Sequence, residues 1–478
     1  MLFNSIDFAI FLPVVFIVYW FVANRNLRFQ NTLLLAASYF FYACWDYRFL
    51  GLLLFSTALD YLTGITLQGA KRSRKRKTWL WISIIINVGL LGVFKYFNFF
   101  ATSFADGLSS LGIRTNIRTL ELILPLGISF YTFHGLSYVL DVYKGKTKAE
   151  RNFIDYAVFV SFFPLLVAGP IERATHLLPQ IKKKREFGYT RTVDGLRQIL
   201  WGLFKKVVIA DNCADYANLI FNNPGGYHGS TLVIGAVFFA FQIYCDFSGY
   251  SDIAIGTAKL FGIDLLRNFA FPYFSRNIAE FWRRWHISLS SWFRDYLYIP
   301  LGGSRGGIWM KLRNIFIIFL VSGFWHGANW TFIVWGLLNV IYMMPSIIWK
   351  TNRNHLEIVA KGKWLPTVKE FFSMVVTFTL VLFAWIFFRA LNVHQAFHYI
   401  SGIFSSSLLT IPEVRPVYLM LLVSIFILIE WLGREGQYAI QHTGHSWYKP
   451  FRWSFYLVLT VSIFINLGRE QVFFYFQY

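Results

Sequence analysis

Long apolar runs alternate in this chain with short loops rich in Lys and Arg. Runs at about 7–23, 31–45, 49–68, 79–100 and 119–142, and again at 330–349, 370–390, 416–432 and 452–467, approach the roughly 20 residues a helix needs to cross about 30 Å of hydrocarbon. In lipid every backbone N–H and C=O needs an internal partner, so such runs are expected to be helical. They are continuous, without the ten-residue alternations of a β-barrel. Only 14% of the 478 residues are charged and 56% are hydrophobic. A soluble domain carries about 25% charged residues, so a water-exposed surface of this size would be short of charge. The expectation is an all-α polytopic membrane protein, with no internal repeat and no separate soluble domain.

The formal charge of +21 would suggest nucleic acid as a partner for a soluble protein. Here the basic residues lie in loops between apolar runs, as the positive-inside rule and contact with anionic headgroups require. Membrane lipid is therefore the expected partner, and nucleic acid is not. Arg25 and Arg28 follow the first run, Arg48 the second, and Lys71 to Lys77, interrupted only by Ser73, the third. A weakly charged loop (Arg114, Arg118) follows the fourth, and Lys144, Lys146, Lys148 and Arg151 follow the fifth. This alternation places loops 24–30, 69–78 and 144–151 in the cytoplasm and the N-terminus outside. Residues 1–6 hold no Lys or Arg and no small-residue cleavage site follows the first run, so it reads as a retained span. Cys44, Cys213 and Cys245 are scattered without CxxC spacing, so neither a disulfide framework nor a metal site is expected.

Several segments depart from the simple pattern. The run 152–169 has basic loops on both sides and ends at Gly169-Pro170, so it is expected to enter and leave on one face, with its helix broken at that pair. Residues 193–220 are amphipathic, with Leu196, Ile199, Leu200 and Leu203 set against Arg197, Lys205 and Lys206, as in a helix lying at the interface. The stretch 230–263 carries Asp246 and Asp252, which must be paired, hydrated or lining a cavity. Either a hairpin with a polar turn or one helix with neutralised carboxylates satisfies that demand. Between Arg267 and Arg313 eight basic residues mingle with aromatics, and seven of residues 281–300 are Phe, Trp or Tyr. The run 314–325 that follows is too short to span and ends at His326-Gly327, so it reads as a broken helix delivering His326 into the membrane.

Histidine is the residue type that carries candidate chemistry. There is no P-loop, HExxH or dinucleotide fingerprint. His176, His228, His355, His394, His398, His442 and His445 fall in loops or at span ends, where solvation suffices. His134 lies within a span and reads as a packing histidine or part of a cavity wall. His326 is flanked by Gly323 and Gly327, which permit close backbone approach, by Trp325 and Trp330 as flat walls, and by Asn329. His286 sits forty residues earlier in the basic, aromatic stretch. An imidazole has an ordinary pKa of about 6.5 and shuttles protons near neutrality. At membrane depth such a group is a functional-site hypothesis by default.

Arg283-Arg284-Trp285-His286-Ile287-Ser288-Leu289-Ser290, Tyr298-Ile299-Pro300-Leu301-Gly302-Gly303 and Gly323-Phe324-Trp325-His326-Gly327 resemble the signature of the membrane-bound O-acyltransferases. The opening Met1-Leu2-Phe3-Asn4-Ser5, the Ala168-Gly169-Pro170-Ile171 turn and Asp246-Phe247-Ser248-Gly249-Tyr250-Ser251-Asp252 are similar to the alginate O-acetylation branch. The resemblance covers nearly the whole chain. It implies a ring of about eleven membrane helices, with re-entrant helices around a thinned central tunnel. The single domain 1–478 then divides into N-terminal spans (1–151), re-entrant and cytoplasmic-interface helices (152–228), a core with both histidines (229–350) and C-terminal spans (351–478). It implies His326 as the catalytic base and His286 as the second catalytic histidine. Trp285, Arg294, Asp295, Trp325, Asn329, Asp246 and Ser248 are candidate substrate-binding residues.

The implied reaction moves an acyl group, acetyl first among candidates, from a cytoplasmic thioester to a hydroxyl of an exported polysaccharide. No permanently bound cofactor is expected. The donor is acyl-CoA or an acyl carrier protein, its phosphates received by the basic 267–313 region, and a periplasmic or extracellular partner acyltransferase is expected to relay the group. The implied location is the bacterial inner membrane. D-alanyl transfer to a teichoic acid is the alternative within the class, and a non-enzymatic transporter the alternative outside it.

Overall fold

The structure of the chain, a computed structural model, describes residues 1–113, 119–120, 122–167, 169–444 and 447–468. Arg114, Arg118, Ala168 and His445, named above, lie outside these residues. Among the described residues the chain is helical, without strands. Seven helical segments of the described residues are long and apolar enough to cross a membrane: Ile6–Arg25, Leu27–Gly69, Ser73–Ser110, Gly229–Leu260, Ile308–His326, Trp330–Ile348 and Val368–Arg389. Shorter helices accompany them, including the apolar Val417–Leu432. The chain is a multi-pass membrane protein. It forms two compact units, residues 1–195 with 257–266 and residues 196–256 with 267–478.

The first unit holds α1 (Ile6–Ile17), α2 (Leu27–Asp46), α3 (Leu50–Gly69), α4 (Ser73–Leu91), α5 (Phe97–Ser110), α6 (Ile128–Tyr143), α7 (Phe153–Ser161), α8 (Phe163–Leu166) and α9 (Ala174–Ile181). The second predicted span, short as an apolar run, is a full 20-residue helix N-capped by Asn26, whose side chain accepts the Phe29 N–H at 2.7 Å. Asp60 on α3 accepts hydrogen bonds from Ser83 (2.7 Å) and Asn87 (2.9 Å) on α4. A Cβ on Gly64 or Gly135 would strike Tyr138 or Asp60. Small residues thus let α3 and α6 approach closely, as is common where helices pack in lipid.

Two expectations in this unit shift position. The predicted span 119–142 is helical only from Ile128, after Pro125 and a left-handed Gly127 (φ 70°). The chain is non-helical at Gly169-Pro170 as expected, and it also breaks earlier, at Phe162. Pro164 has no N–H to return to the helix, and the N–H of Phe163 donates instead to Ser38 Oγ at 3.0 Å. The nine-residue α7 is far too short to cross a bilayer. His134 takes the packing reading, since its Nε2 accepts the N–H of Glu172 at 3.1 Å.

From α10 (Tyr189–Leu203) a π-helical turn at 204–210 leads into α11 (Asp211–Asn222) and α12 (Gly229–Leu260). A single 32-residue α12 replaces the hairpin alternative. Lys205 and Lys206, placed on a solvated face by the sequence pattern, are instead 3% and 1% exposed. A Cβ on Gly202 would lie 2.6 Å from the Gly249 carbonyl, so α10 and α12 meet closely enough to bury both lysines against the α12 carboxylates. Lys205 bonds Asp252 (2.6 Å) and Ser248 (3.0 Å). Lys206 lies between Asp211 (2.7 Å) and Asp246 (2.8 Å). Amphipathic spacing shows that a helix has two faces; it does not say that the polar face meets water.

The remaining helices are α13 (Ile278–Arg284), α14 (Ile287–Phe293), α15 (Ile308–His326), α16 (Trp330–Ile348), α17 (Val368–Arg389), α18 (Val393–Ile403), α19 (Val417–Leu432) and α20 (Lys449–Asn466). The helix ends at His326-Gly327 as expected, but the expectation that it is short is corrected. α15 starts at Ile308 and is 19 residues long, because Lys311 and Arg313 sit near its end, where long cations reach polar surroundings. Arg313 donates to the Leu301 carbonyl at 3.0 Å. α15 and α16 form a tight pair, for a Cβ on Gly323 would fall 2.3 Å from Phe332 O and one on Gly336 2.6 Å from Phe319 O.

Lys206→Met would leave two buried carboxylates without their cation, a loss typically costing about 3–5 kcal/mol. Thermal unfolding of the purified protein in detergent should shift to clearly lower temperature. An unchanged transition would show that the ion pairs are not structural.

Candidate active site

Both histidines lie in the second unit and are brought together by different devices. α13 is N-capped by Asn277, which accepts the Glu280 N–H at 2.8 Å. It ends at an extended Trp285. His286 then adopts a left-handed conformation (φ 44°, ψ 53°) and opens α14. Few non-glycine residues take positive φ, and here the turn carries the imidazole into the interior, where it is 1% exposed. Segment 268–270 holds the turn from one side, through Ala270 N–H to Arg284 O (2.9 Å) and Ile287 N–H to Asn268 O (2.8 Å).

The Asn268 side chain determines the tautomer of His286. Its Oδ1 accepts from Ser288 Oγ at 2.9 Å and lies 3.4 Å from the Ser288 N–H. A backbone N–H can only donate, so the amide atom facing it is the oxygen. The Nδ1 of His286, 3.0 Å from the same oxygen, must therefore carry a proton and donate it. The amide nitrogen is spent on Ser251 Oγ of α12 at 3.0 Å. A neutral His286 thus keeps its lone pair on Nε2, which is buried with no hydrogen-bond partner among the described residues. Burial pushes this imidazole down to a pKa of about 3, so it is neutral at physiological pH.

His326 closes α15 and is 5% exposed. Its ring meets Trp325 (4.8 Å between centroids), Trp335 (5.1 Å) and Phe388 (5.2 Å), each edge-on. The Trp325 indole is also 6.2 Å from the His286 ring. One tryptophan therefore touches both imidazoles, although forty residues separate them in sequence. Trp285 backs the cluster, packing on Trp385 (5.0 Å) and Phe269 (5.1 Å).

Other predicted residues lie elsewhere or are otherwise engaged. Trp330, read as a wall of the site, is 57% exposed; Trp335, Trp385 and Phe388 form the walls instead. Asn329 caps α16, accepting the Thr331 N–H at 3.0 Å and donating to Leu391 O at 2.9 Å. Asp246 and Ser248 are held by Lys206 and Lys205. Arg294 and Asp295 pair with each other at 2.8 Å, with the arginine largely exposed. Asn268 was missed, and no local pattern marks one Asn in a loop as the partner of a residue eighteen positions on. An imidazole in an aromatic, low-dielectric setting is a group that can take a proton from a hydroxyl and return it to a leaving group.

Residues 150–388 match the family model described as MBOAT, membrane-bound O-acyltransferase family. Over 531 aligned positions, covering 100% of this chain and 98% of the relative, the chain is 35% identical to the peptidoglycan O-acetyltransferase of Helicobacter pylori. It is 38% identical over 451 positions, 93% of this chain and 87% of the relative, to the probable alginate O-acetylase AlgI of Azotobacter vinelandii. The teichoic acid D-alanyltransferase of Bacillus subtilis aligns over 58% of this chain, at 31% identity. From its helical membrane fold and these matches, the chain belongs to the membrane-bound O-acyltransferase family and is an acyltransferase.

Proposed function

We propose that this enzyme transfers an acetyl group from a cytoplasmic thioester, coenzyme A or a carrier protein, to a hydroxyl of an exported polysaccharide, directly or through a partner acyltransferase outside the membrane. The observation that carries the reading is the contact of Trp325 with both buried imidazoles. The relatives' names favour acetyl over D-alanyl, because the two O-acetylating relatives align over 93% and 100% of the chain and the D-alanyltransferase over 58%. The basic loops at 24–30, 69–78 and 144–151 support an inner-membrane orientation with these loops in the cytoplasm. The transporter alternative falls with membership of an acyltransferase family.

In the proposed step His326 takes the proton of the acceptor hydroxyl as the oxygen attacks the thioester carbonyl. The new C–O bond forms, the C–S bond breaks, and the proton passes from His326 to the departing thiolate. His286 has two roles open to it, orienting the thioester or stabilising the oxyanion. The tautomer imposed by Asn268 favours the former, since a neutral ring has no proton on Nε2 to give an oxyanion. His286 then accepts a hydrogen bond and positions the group that donates it.

His326→Ala should lower transfer from a radiolabelled acetyl donor in proteoliposomes by about a hundred- to ten-thousandfold, with membrane insertion intact. A wild-type rate in that variant would remove His326 as the base. Asn268→Asp sets a carboxylate beside the Nδ1–H of His286 and favours the imidazolium. In the wild type, protonation of His286 needs strongly acidic solution; in the variant, activity should be lost as pH falls through a higher pKa. An acid limb of the pH–rate profile that stays in place would argue against a neutral His286 in the reaction.

A further inference from the structure

The segment 433–444, after α19, folds back on the loop before α17 and encloses a cavity of about 510 Å³ in the second unit. Lys363, Trp364, Arg434, Glu435, His442 and Trp447 line it, and no member of the histidine cluster does. Small residues permit the fold-back. A Cβ on Gly433 would lie 1.9 Å from the Ala439 carbonyl, and Gly444 sits at φ 79°, which glycine adopts at no steric cost. Hydrogen bonds then fasten the two segments. Glu435 Oε1 accepts the Gly362 N–H at 2.8 Å, and Trp431 Nε1 donates to the Trp364 carbonyl at 2.8 Å. Arg434 donates to the carbonyls of Val359 (3.0 Å) and Ala360 (2.6 Å), with its guanidinium 4.1 Å over the Trp431 ring.

The places where the helices stop set the level of this cavity. α19 ends at Leu432, α17 starts at Val368 and α20 at Lys449, so its walls lie just past the ends of apolar helices, where lipid headgroups sit. Trp364, Trp447, Tyr448 and Trp453 are exposed, as aromatic residues are at that level. The charges on the walls are mixed in sign. Lys363, Arg434 and Glu435 make no ion pair among the described residues, and the carbonyls that orient Arg434 do not cancel its charge. Glu435 has Oε1 engaged by Gly362, which leaves its other oxygen free to accept. A simple anion would be drawn by two cations and repelled by the carboxylate. A ligand of both signs suits all three, with a phosphate on Lys363 and Arg434 and an ammonium on Glu435 beside the indole faces.

We propose that this cavity binds the headgroup of an amine-bearing phospholipid, that of phosphatidylethanolamine, from the surrounding bilayer. Its phosphodiester lies against Lys363 and Arg434, its ammonium donates to Glu435, and its acyl chains run along the apolar helices that begin at the cavity's edge. The segments around it and the start of α20 also carry Lys361, Lys449 and Arg452, the sign of the cytoplasmic leaflet. Glu435 is the residue that gives the site its selectivity, since a carboxylate beside the phosphate position disfavours a lipid whose headgroup is only anionic.

Native mass spectrometry of the full-length protein in detergent tests the site, and none of its readouts depends on acyl transfer. The probes are phosphatidylethanolamine, phosphatidylglycerol and soluble glycerophosphoethanolamine. The wild type should hold phosphatidylethanolamine about three- to tenfold more tightly than phosphatidylglycerol, the range between an exposed ion pair and a charge-assisted hydrogen bond. Glu435→Gln keeps an oxygen for the Gly362 N–H and removes the charge, so the preference should turn toward phosphatidylglycerol. The Lys363 side chain is exposed and makes no hydrogen bond among the described residues, so Lys363→Gln should leave the fold intact and weaken both lipids. Equal retention of the two lipids by the wild type, or an unchanged preference in Glu435→Gln, overturns the assignment. Undiminished retention in Lys363→Gln removes this cavity as the site. Glycerophosphoethanolamine bound as tightly as the lipid would make the ligand a solute and sink the bilayer as its source.

Discussion

Two lysines buried against one helix hold the second unit in register. Lys205 and Lys206 lie in a low-dielectric interior where an unpaired ammonium is strongly unfavourable, and the carboxylates of Asp252 and Asp246 neutralise them. Those carboxylates sit on α12, so the ion pairs fix how far along its axis α12 lies relative to the turn after α10. α12 also carries Ser251, the acceptor for Asn268, and Asn268 in turn carries His286. A sequence of short polar contacts thus leads from a buried charge cluster to a candidate catalytic ring. Each is costly to break because no water replaces the lost partner.

The histidine cluster is otherwise built from aromatic surfaces. Trp325, Trp335 and Phe388 approach His326 edge-on, positioning it by shape and excluding water. His286 is positioned by hydrogen bonds instead, through an amide that dictates which nitrogen bears the proton. Three aromatic rings thus surround one imidazole, and a side-chain amide fixes the tautomer of the other. Such a division suits a site in which one group moves a proton and the other orients a substrate.

The same interior shows how basic residues of one stretch separate into different tasks. Arg313 supports the start of α15 through the Leu301 carbonyl, and Arg294 pairs with its neighbour at the surface. Arg267, Arg283 and Arg284 turn inward to one cavity. Composition marked the whole 267–313 stretch as basic and aromatic, but charge density along a chain does not say which cations share a volume. The loop 349–367, which supplies the carbonyls that aim Arg283 and Arg434, carried no signal beyond its own basic residues.

The sequence by itself determined the class of protein, because apolar runs of near-span length with basic loops have few solutions in a bilayer. It also singled out His286 and His326, whose local motifs are distinctive. Most helix positions followed from hydropathy. The ends that moved, at Ile128, Phe162 and Ile308, were those where a proline, a left-handed glycine or a long cation near a helix terminus outweighed mean apolarity. Only the tertiary structure decided that Asp246 and Asp252 sit on one continuous helix, that Lys205 and Lys206 are buried as their partners, and that Asn268 sets the tautomer of His286. Pairings of that kind join residues from 18 to 47 positions apart, and periodicity describes the faces of an element, never which other element a face will meet.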